Sequence, residues 1–336
     1  KKEDNMENKV ILNPTELTGI MGKGEMIKLS NEVGEKKWKE YRDKYDLASN
    51  LKQIDYPIQL DFELNASCNM RCPMCPISAE SPKGKGKKTW FDFEFFKEIL
   101  EYSVKKGTQA IKLNYINEPL IRNDFIKFIH FAKKIGILDI YFSTNGMLLN
   151  EDISKELINS GLTRIQISID AITEETYDKV RPGGDYKKIL SNVLSFIELK
   201  KKLNSNLPLT RVNFVKTEIN HKELNKFIEF WKDKVDMIGV QEFIKPTKVK
   251  KEIDGNNEKR KTGFKCSFPF KQLVINNERK VLPCCTFWGE ELELQTINKP
   301  EDLLEAWNSK KMKFLRKKHI EGKYYEVPQC NKCING

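Results

Sequence analysis

Three cysteines stand close together in the run Cys68-Asn-Met-Arg-Cys72-Pro-Met-Cys75, directly after a segment in which apolar and polar residues alternate. Thiolates are the ligands of iron–sulfur clusters, and a four-iron cluster bound only by protein takes four of them. Three thiolates on one loop would leave one iron open to a small molecule. The alternative is a zinc knuckle or three buried cysteines, but structural zinc sites close with four ligands in paired spacing. The run therefore favours a cluster with an open iron.

The stretch from 56 to 244 alternates between short apolar segments and amphipathic helices. Its first strand is predicted from Ile58, Leu60, Phe62 and Leu64, which alternate with polar residues. Five further strands are predicted at 110–113, 138–142, 164–169, 210–215 and 237–243, with a helix in each connection. Strands joined by helices predict an α/β fold with a parallel sheet and right-handed crossovers. Sites in such folds lie at the carboxyl ends of strands, where the three-cysteine loop comes.

The residues on either side of this stretch predict a leader and a separate small module. Residues 1–55 read as a helical leader in which Trp38, Tyr41 and Tyr45 have helical spacing and pack on the main domain. A basic, polar run over 245–262 is predicted to be an exposed linker rather than a substrate clamp. Residues 263–336 then hold a hairpin, a helix and the other five cysteines.

Four of those five cysteines have the spacing of a second thiolate site. One precedes the hairpin, one follows it, and a Cys-x2-Cys pair stands near the end of the sequence. These four are Cys266, Cys284, Cys330 and Cys333. The spacing alone is also compatible with a zinc ribbon. The chain has three histidines, His130, His221 and His319, with no metal-ligand spacing between any two, so they are interpreted as surface or packing residues.

The chain resembles the radical S-adenosylmethionine (radical SAM) superfamily over about residues 56–336, through the motif Cys68, Cys72, Cys75 and the order of its elements. The resemblance implies a partial (β/α)6 barrel whose three cysteines hold a 4Fe–4S cluster. It implies that S-adenosylmethionine chelates the open iron and is cleaved to a 5′-deoxyadenosyl radical, which abstracts hydrogen from a substrate carbon. It also implies an electron donor of the flavodoxin or ferredoxin type.

The resemblance further implies contacts to S-adenosylmethionine at the ends of the strands. Glu118 matches the acidic position that contacts the amino group, although Ile116 and Asn117 replace the glycines of the family motif. Arg181 resembles the arginine that pairs with the carboxylate, a contact that suits guanidinium geometry. The remaining implied contacts, to the ribose, the methionine end and the adenine, are Asn117, Ser143, Asn145, Ser168 and Met74.

The last module resembles the shorter SPASM or twitch extension, which binds one auxiliary 4Fe–4S cluster. The resemblance makes Cys266, Cys284, Cys330 and Cys333 its ligands, while Arg279 replaces the glycine common in the hairpin turn. Cys285 is then left over. In radical SAM peptide epimerases with a similar Pro-Cys-Cys, the second cysteine returns a hydrogen atom to the substrate radical. Cys285 is therefore the candidate hydrogen donor, and a buried or tolerated thiol is the alternative.

Charge and hydropathy limit the partners. The net charge of +11, from 59 Lys and Arg against 48 Asp and Glu, favours anionic partners. No alternating basic and aromatic platform is present, so nucleic-acid binding is not expected. No apolar stretch approaches the roughly 18–20 residues of a membrane span, and the first residues lack the apolar core of a signal peptide. We expect a cytoplasmic protein.

These observations predict a radical SAM enzyme that epimerises a carbon centre of a sugar or another small polar, phosphorylated metabolite. Two-electron dehydrogenation of a carbinol is one alternative. Maturation of a ribosomally made peptide is another, disfavoured by the short leader. A non-catalytic iron–sulfur or zinc protein belongs to a different class, and it would leave Glu118, Ser168 and Arg181 without a role.

Overall fold

The computed structural model describes residues 10–13, 23–75, 77–78, 90–243 and 264–335, so the predicted linker at 245–262 lies outside the described residues. The described strands form a ten-stranded sheet in the order β1-β7-β6-β5-β4-β3-β2-β8-β9-β10. The strands are β1 (Val10–Asn13), β2 (Gln59–Phe62), β3 (Ala110–Lys112), β4 (Asp139–Thr144), β5 (Arg164–Ser168), β6 (Leu209–Lys216), β7 (Met237–Glu242), β8 (Gln272–Ile275), β9 (Lys280–Leu282) and β10 (Gln295–Thr296).

Neighbouring strands in this sheet order are parallel from β1 as far as β8. The last two pairs, β8–β9 and β9–β10, are antiparallel. Strands β2 to β7 are the six that the sequence predicts, and the α/β fold class is confirmed. Strand β1 was not predicted, because four residues within a leader carry little periodicity. It becomes a strand by pairing with the outer side of β7, where Val10 lies opposite Ile238.

Helices connect the strands. They are α1 (Lys23–Val33), α2 (Glu35–Ser49), α3 (Phe93–Lys106), α4 (Phe125–Lys134), α5 (Glu151–Asn159), α6 (Glu174–Val180), α7 (Tyr186–Lys202), α8 (Leu224–Trp231), α9 (Phe268–Lys271), α10 (Asp302–Trp307), α11 (Lys310–Ile320) and α12 (Pro328–Asn335). Helix α3 shows how the sequence sets these bounds. The Asp92 side chain accepts a hydrogen bond from the Phe95 backbone N–H, and Gly107 ends the helix at φ 110°. No helix in the described ranges is long and apolar enough to cross a membrane.

Helix α2 covers the amino ends of the parallel strands, opposite the predicted site. Its Trp38, Tyr41 and Tyr45 are buried, and the Tyr41 hydroxyl lies 3.4 Å from the carboxylate of Asp139, the first residue of β4. Asp139 in turn accepts two hydrogen bonds, at 2.9 and 2.7 Å, from the guanidinium of Arg164. This buried ion pair and the helix close one end of the barrel.

The C-terminal hairpin continues the sheet, because β8 pairs in parallel with β2. Its turn contains Arg279 at φ 65°, a left-handed conformation that costs a residue with a side chain about 1–2 kcal/mol. The Arg279 guanidinium lies 4.1 Å from the centre of the Phe95 ring. This contact with α3 holds an arginine in a turn where the family commonly has glycine.

Candidate functional site

The carboxyl ends of β3 to β7 surround a cavity of about 350 Å³, and the three-cysteine loop forms one of its walls. All of the residues that the sequence predicts to touch the first cluster, the cofactor or the substrate line this cavity. They are Cys68, Cys72, Cys75, Met74, Asn117, Glu118, Ser143, Asn145, Ser168, Arg181 and Cys285. The structure therefore brings the whole predicted set together, although the individual roles stay predictions.

The three-cysteine loop is a hydrogen-bonded turn with donors directed at its sulfurs. The Cys75 N–H bonds to the Cys72 carbonyl at 2.9 Å. The Met70 N–H lies 3.5 Å from the Cys68 sulfur, and Nη1 of Arg181 lies 3.9 Å from the Cys72 sulfur. Burial raises the pKa of Cys68 and of Cys72 to about 11. Buried thiols with donors aimed at them fit the thiolate ligands of an iron–sulfur cluster, whose irons supply the positive charge.

Glu118 is held at the cavity wall by three donors. Its carboxylate accepts hydrogen bonds from the Asn145 N–H and the Thr144 hydroxyl, each at 2.7 Å, and from the Leu120 N–H at 3.1 Å. Burial raises the pKa of Glu118 to about 7, although these donors act in the opposite direction. The carboxylate is therefore in a position where an ammonium group would offset the cost of its ionisation.

Arg181 is anchored by Asp170, a residue to which the sequence analysis assigns no role. The Asp170 carboxylate accepts from Nε and Nη2 of Arg181 at 2.8 and 2.5 Å, and from the Val215 N–H at 2.7 Å. Asp170 is fully buried, with φ 62°. Two of the three guanidinium nitrogens are thus engaged within the protein, and Nη1 is the one that faces the cysteine loop.

Three of the predicted cofactor contacts also brace the site. Nδ2 of Asn117 donates to the Asn65 side chain at 2.8 Å, and Nδ2 of Asn145 donates to the Asn69 side chain at 2.7 Å. The Ser143 hydroxyl lies 3.2 Å from Oε1 of Gln166. These bonds tie the carboxyl ends of β3 and β4 to the cysteine loop and to β5, so each residue has both a structural contact and a face toward the cavity.

Sequence reasoning missed several polar and aromatic residues of the same cavity. Lys112 and Glu242, the last residues of β3 and β7, both line it, and Glu242 pairs with Lys216 of β6 at 2.7 Å. Tyr115 and Trp288 line it as well. Applying the carboxyl-end rule to the last two residues of every predicted strand would have found the first two, whereas Trp288 follows the hairpin and carries no such signal.

A second cavity collects the other four predicted ligands. It is lined by Cys266, Cys284, Cys330 and Cys333 together with His319. In the described part of the chain, no group of three His, Cys, Asp or Glu side chains is arranged to hold a single metal ion. The four thiols do line a common cavity, as the four thiolate ligands of a 4Fe–4S cluster would.

Adjacent residues Cys284 and Cys285 belong to different cavities. Cys284 lines the four-cysteine cavity, with its sulfur 3.3 Å from the Thr286 hydroxyl. Cys285 lines the large cavity that also contains Cys68, Cys72 and Cys75. None of the eight cysteines, all of which lie within the described ranges, is in a disulfide. The two adjacent cysteines of the Pro-Cys-Cys sequence therefore each line a different cavity.

Comparisons with known proteins support an iron–sulfur cluster site in each of the two cavities. The family model described as the radical SAM superfamily matches residues 63–218, and the iron–sulfur cluster-binding SPASM model matches residues 266–334. The crystal structure of Streptococcus suis SuiB bound to S-adenosylmethionine matches with a TM-score of 0.61 and 16% identity, over 82% of this chain and 71% of that chain, which shows the fold. The two family matches imply the predicted cofactors, namely a 4Fe–4S cluster, an auxiliary cluster and S-adenosylmethionine.

The curated relatives match somewhat more than half of this chain. A probable GTP 3′,8-cyclase of Methanocaldococcus jannaschii is 30% identical over 196 residues, which is 58% of this chain and 61% of that protein. A GTP 3′,8-cyclase of Clostridium botulinum is 33% identical over 187 residues, 54% of each chain. The match thus spans about half to three fifths of the length of these relatives.

Proposed function

We propose, from the premise that the chain belongs to the radical SAM superfamily, that it inverts a carbon centre of a small polar substrate and that Cys285 supplies the replacing hydrogen atom. Bound together, the cluster and S-adenosylmethionine supply the 5′-deoxyadenosyl radical that removes a hydrogen atom from carbon. The chain's own residues have the remaining tasks, which are to hold the cofactor, orient the substrate and deliver hydrogen to the second face.

The observation that carries this proposal is the divergence of Cys284 and Cys285. If the four cysteines of the second cavity bind the auxiliary cluster, its irons are saturated without Cys285. Cys285 instead shares a cavity with the three-cysteine loop. It packs on a small cluster formed by Tyr115, Val274 and Leu282, with Ile116 beside it. A thiol fixed by packing at the wall of the reaction cavity is suited to act on a bound substrate.

Glu118 and Arg181 would hold the amino and carboxyl ends of S-adenosylmethionine. The Glu118 carboxylate is an acceptor for the amino group, and Nη1 of Arg181 is the guanidinium nitrogen left beside the cysteine loop. The hydrogen of the Cys285 S–H bond passes to the substrate carbon, and a sulfur-centred radical remains on Cys285. One electron from a flavodoxin- or ferredoxin-type donor and one proton from solvent restore the thiol. One further electron from the same donor is taken up when S-adenosylmethionine is cleaved, so each inversion consumes one S-adenosylmethionine, two electrons and one proton.

The lining of the cavity supports a small polar substrate. Lys112 offers an ammonium group from a buried position, and Glu242 offers a carboxylate paired with Lys216. Ser143, Ser168 and Asn114 add uncharged polar groups. A sugar or phosphorylated metabolite presents hydroxyl and anionic groups that match such a lining. Two-electron dehydrogenation of a carbinol is the alternative reaction at the same site, and it requires no hydrogen atom from Cys285.

A nucleotide-cyclising activity is the second candidate. It is favoured by the relatives named GTP 3′,8-cyclase, which are 30–33% identical to this chain over about half its length. Cyclisation joins two positions of one substrate and has no need for hydrogen delivery from Cys285. GTP therefore belongs among the substrates to be tested.

The test is a substrate screen with reconstituted, chemically reduced protein under anaerobic conditions. Nucleotide sugars, sugar phosphates, GTP and short peptides are incubated separately with S-adenosylmethionine, and 5′-deoxyadenosine is quantified. We expect one polar metabolite to increase 5′-deoxyadenosine formation and to return as its epimer of unchanged mass. A cyclised GTP product would favour the second candidate, and a product two mass units lighter would favour dehydrogenation.

A further inference from the structure

His319 lies against the auxiliary-cluster cysteines, although the sequence reasoning interpreted it as a surface or packing residue. It is on α11 and 1% exposed, and it lines the four-cysteine cavity. The Cys266 backbone N–H donates to Nδ1 of His319 at 3.2 Å. On the other side of the ring, Nε2 lies 3.5 Å from the Cys330 sulfur. One imidazole therefore connects two of the four predicted ligand residues.

The hydrogen bond from the backbone fixes the tautomer of this ring. A nitrogen that accepts a hydrogen bond carries no proton, so Nδ1 is unprotonated and the single proton of the neutral imidazole is on Nε2. That proton faces the Cys330 sulfur. Because the ring is buried, solvent does not compete for this donor.

We propose that His319 is a positioning residue that donates a hydrogen bond from Nε2–H to the Cys330 thiolate and thereby raises the reduction potential of the auxiliary cluster. Hydrogen bonds to the cysteine sulfurs are among the factors that set the potential of iron–sulfur clusters. The reduced cluster carries one more negative charge, so a donor at the sulfur stabilises the reduced form more than the oxidised form. His319 is not a ligand in this arrangement.

The first test is a redox titration followed by EPR. It uses the full chain carrying C68A, C72A and C75A, so that the auxiliary cluster is the one observed, with His319→Leu, His319→Gln or neither added. We expect His319→Leu to lower the equilibrium constant for reduction about tenfold, or about 59 mV for a one-electron couple. Glutamine can donate from Nε2, so His319→Gln should stay within about threefold of the parent. Equal potentials for the leucine variant and the parent would overturn the proposal.

The second test needs no substitution at His319 and so remains decisive if the leucine variant binds no cluster. The parent chain is labelled with 15N-histidine, and the reduced auxiliary cluster is studied by pulsed EPR. The other two histidines, His130 and His221, are exposed on α4 and after β6 and serve as internal background. A weak 15N coupling that accompanies an exchangeable proton supports the hydrogen bond. A strong coupling, as for a nitrogen bound to iron, or no coupling at all, contradicts it.

Discussion

Affinity for S-adenosylmethionine should depend on pH through Glu118. Burial raises the pKa of this carboxyl from 4.5 to about 7. Ionising this buried carboxyl therefore costs about 3 kcal/mol more than ionising it in water. Because the pKa is raised in the folded state, the protonated carboxyl stabilises the fold fully below about pH 4.5, and this stability is lost as the pH rises through 7. An ammonium group beside the carboxylate would offset the cost of ionisation.

The expected size follows from the fraction of Glu118 that is ionised before the cofactor binds. With a pKa of about 7, that fraction is about one in eleven at pH 6 and about ten in eleven at pH 8. If S-adenosylmethionine requires the ionised form, its dissociation constant should be about tenfold larger at pH 6 than at pH 8. Glu118→Gln has no titrating group at this position, so it should bind more weakly and lose this part of the pH dependence.

The assay is isothermal titration calorimetry or equilibrium dialysis with anaerobic, unreduced holoprotein, which does not cleave the cofactor. The amino group of S-adenosylmethionine titrates in the same range. The measured quantity is therefore the difference in pH dependence between the native protein and Glu118→Gln. Glu101→Gln, an exposed substitution on α3, is the matched control and should behave like the native protein. The same affinity and the same pH dependence in Glu118→Gln would refute the reasoning.

Three further predictions concern the metal content, the cofactor and the fold. Metal analysis of anaerobically reconstituted protein should find about eight irons per chain, from two four-iron clusters. The variant carrying C68A, C72A and C75A should contain about half as much iron. One zinc ion together with the iron of a single cluster would contradict this prediction. Reduced protein should cleave S-adenosylmethionine to methionine and 5′-deoxyadenosine even without substrate, and Arg181→Ala should weaken cofactor binding while retaining iron; unchanged affinity would remove Arg181 from the site. Asp139→Ala leaves Arg164 buried without its carboxylate and should reduce the free energy of unfolding by about 3–5 kcal/mol in a denaturant titration, whereas a loss below about 1 kcal/mol would show that this ion pair is not needed.

Local patterns in the sequence predicted the elements that carry their own signal. Strand β2 alternates apolar and polar residues, and α3 has a cap at Asp92 and a stop at Gly107, so both were found. The hairpin β8–β9 was also recognised, but its place in the main sheet depends on pairing between Gln59 and Gln272, which no local pattern encodes. The same limit applies to β1, which is defined by its pairing with β7.

The residues of the two cavities also fall into those that a local motif reveals and those that only the fold reveals. Residues within motifs, such as the three-cysteine run and Glu118, could be named from the resemblance to a family. Lys112 and His319 stand in no motif, and they reach their cavities only because the fold brings their elements there. The two contacts of His319 are with residues 53 and 11 positions away along the chain, so its surroundings could be found only in three dimensions.

The most direct test of the proposed reaction is to locate solvent deuterium in the product. Thiol hydrogens exchange with solvent, so turnover in deuterated water with the substrate found in the screen should place one deuterium at the inverted carbon. Cys285→Ala should keep both clusters and still form 5′-deoxyadenosine, but should yield no inverted product. Normal turnover by Cys285→Ala, or a product oxidised by two electrons without solvent deuterium, would contradict hydrogen delivery by Cys285.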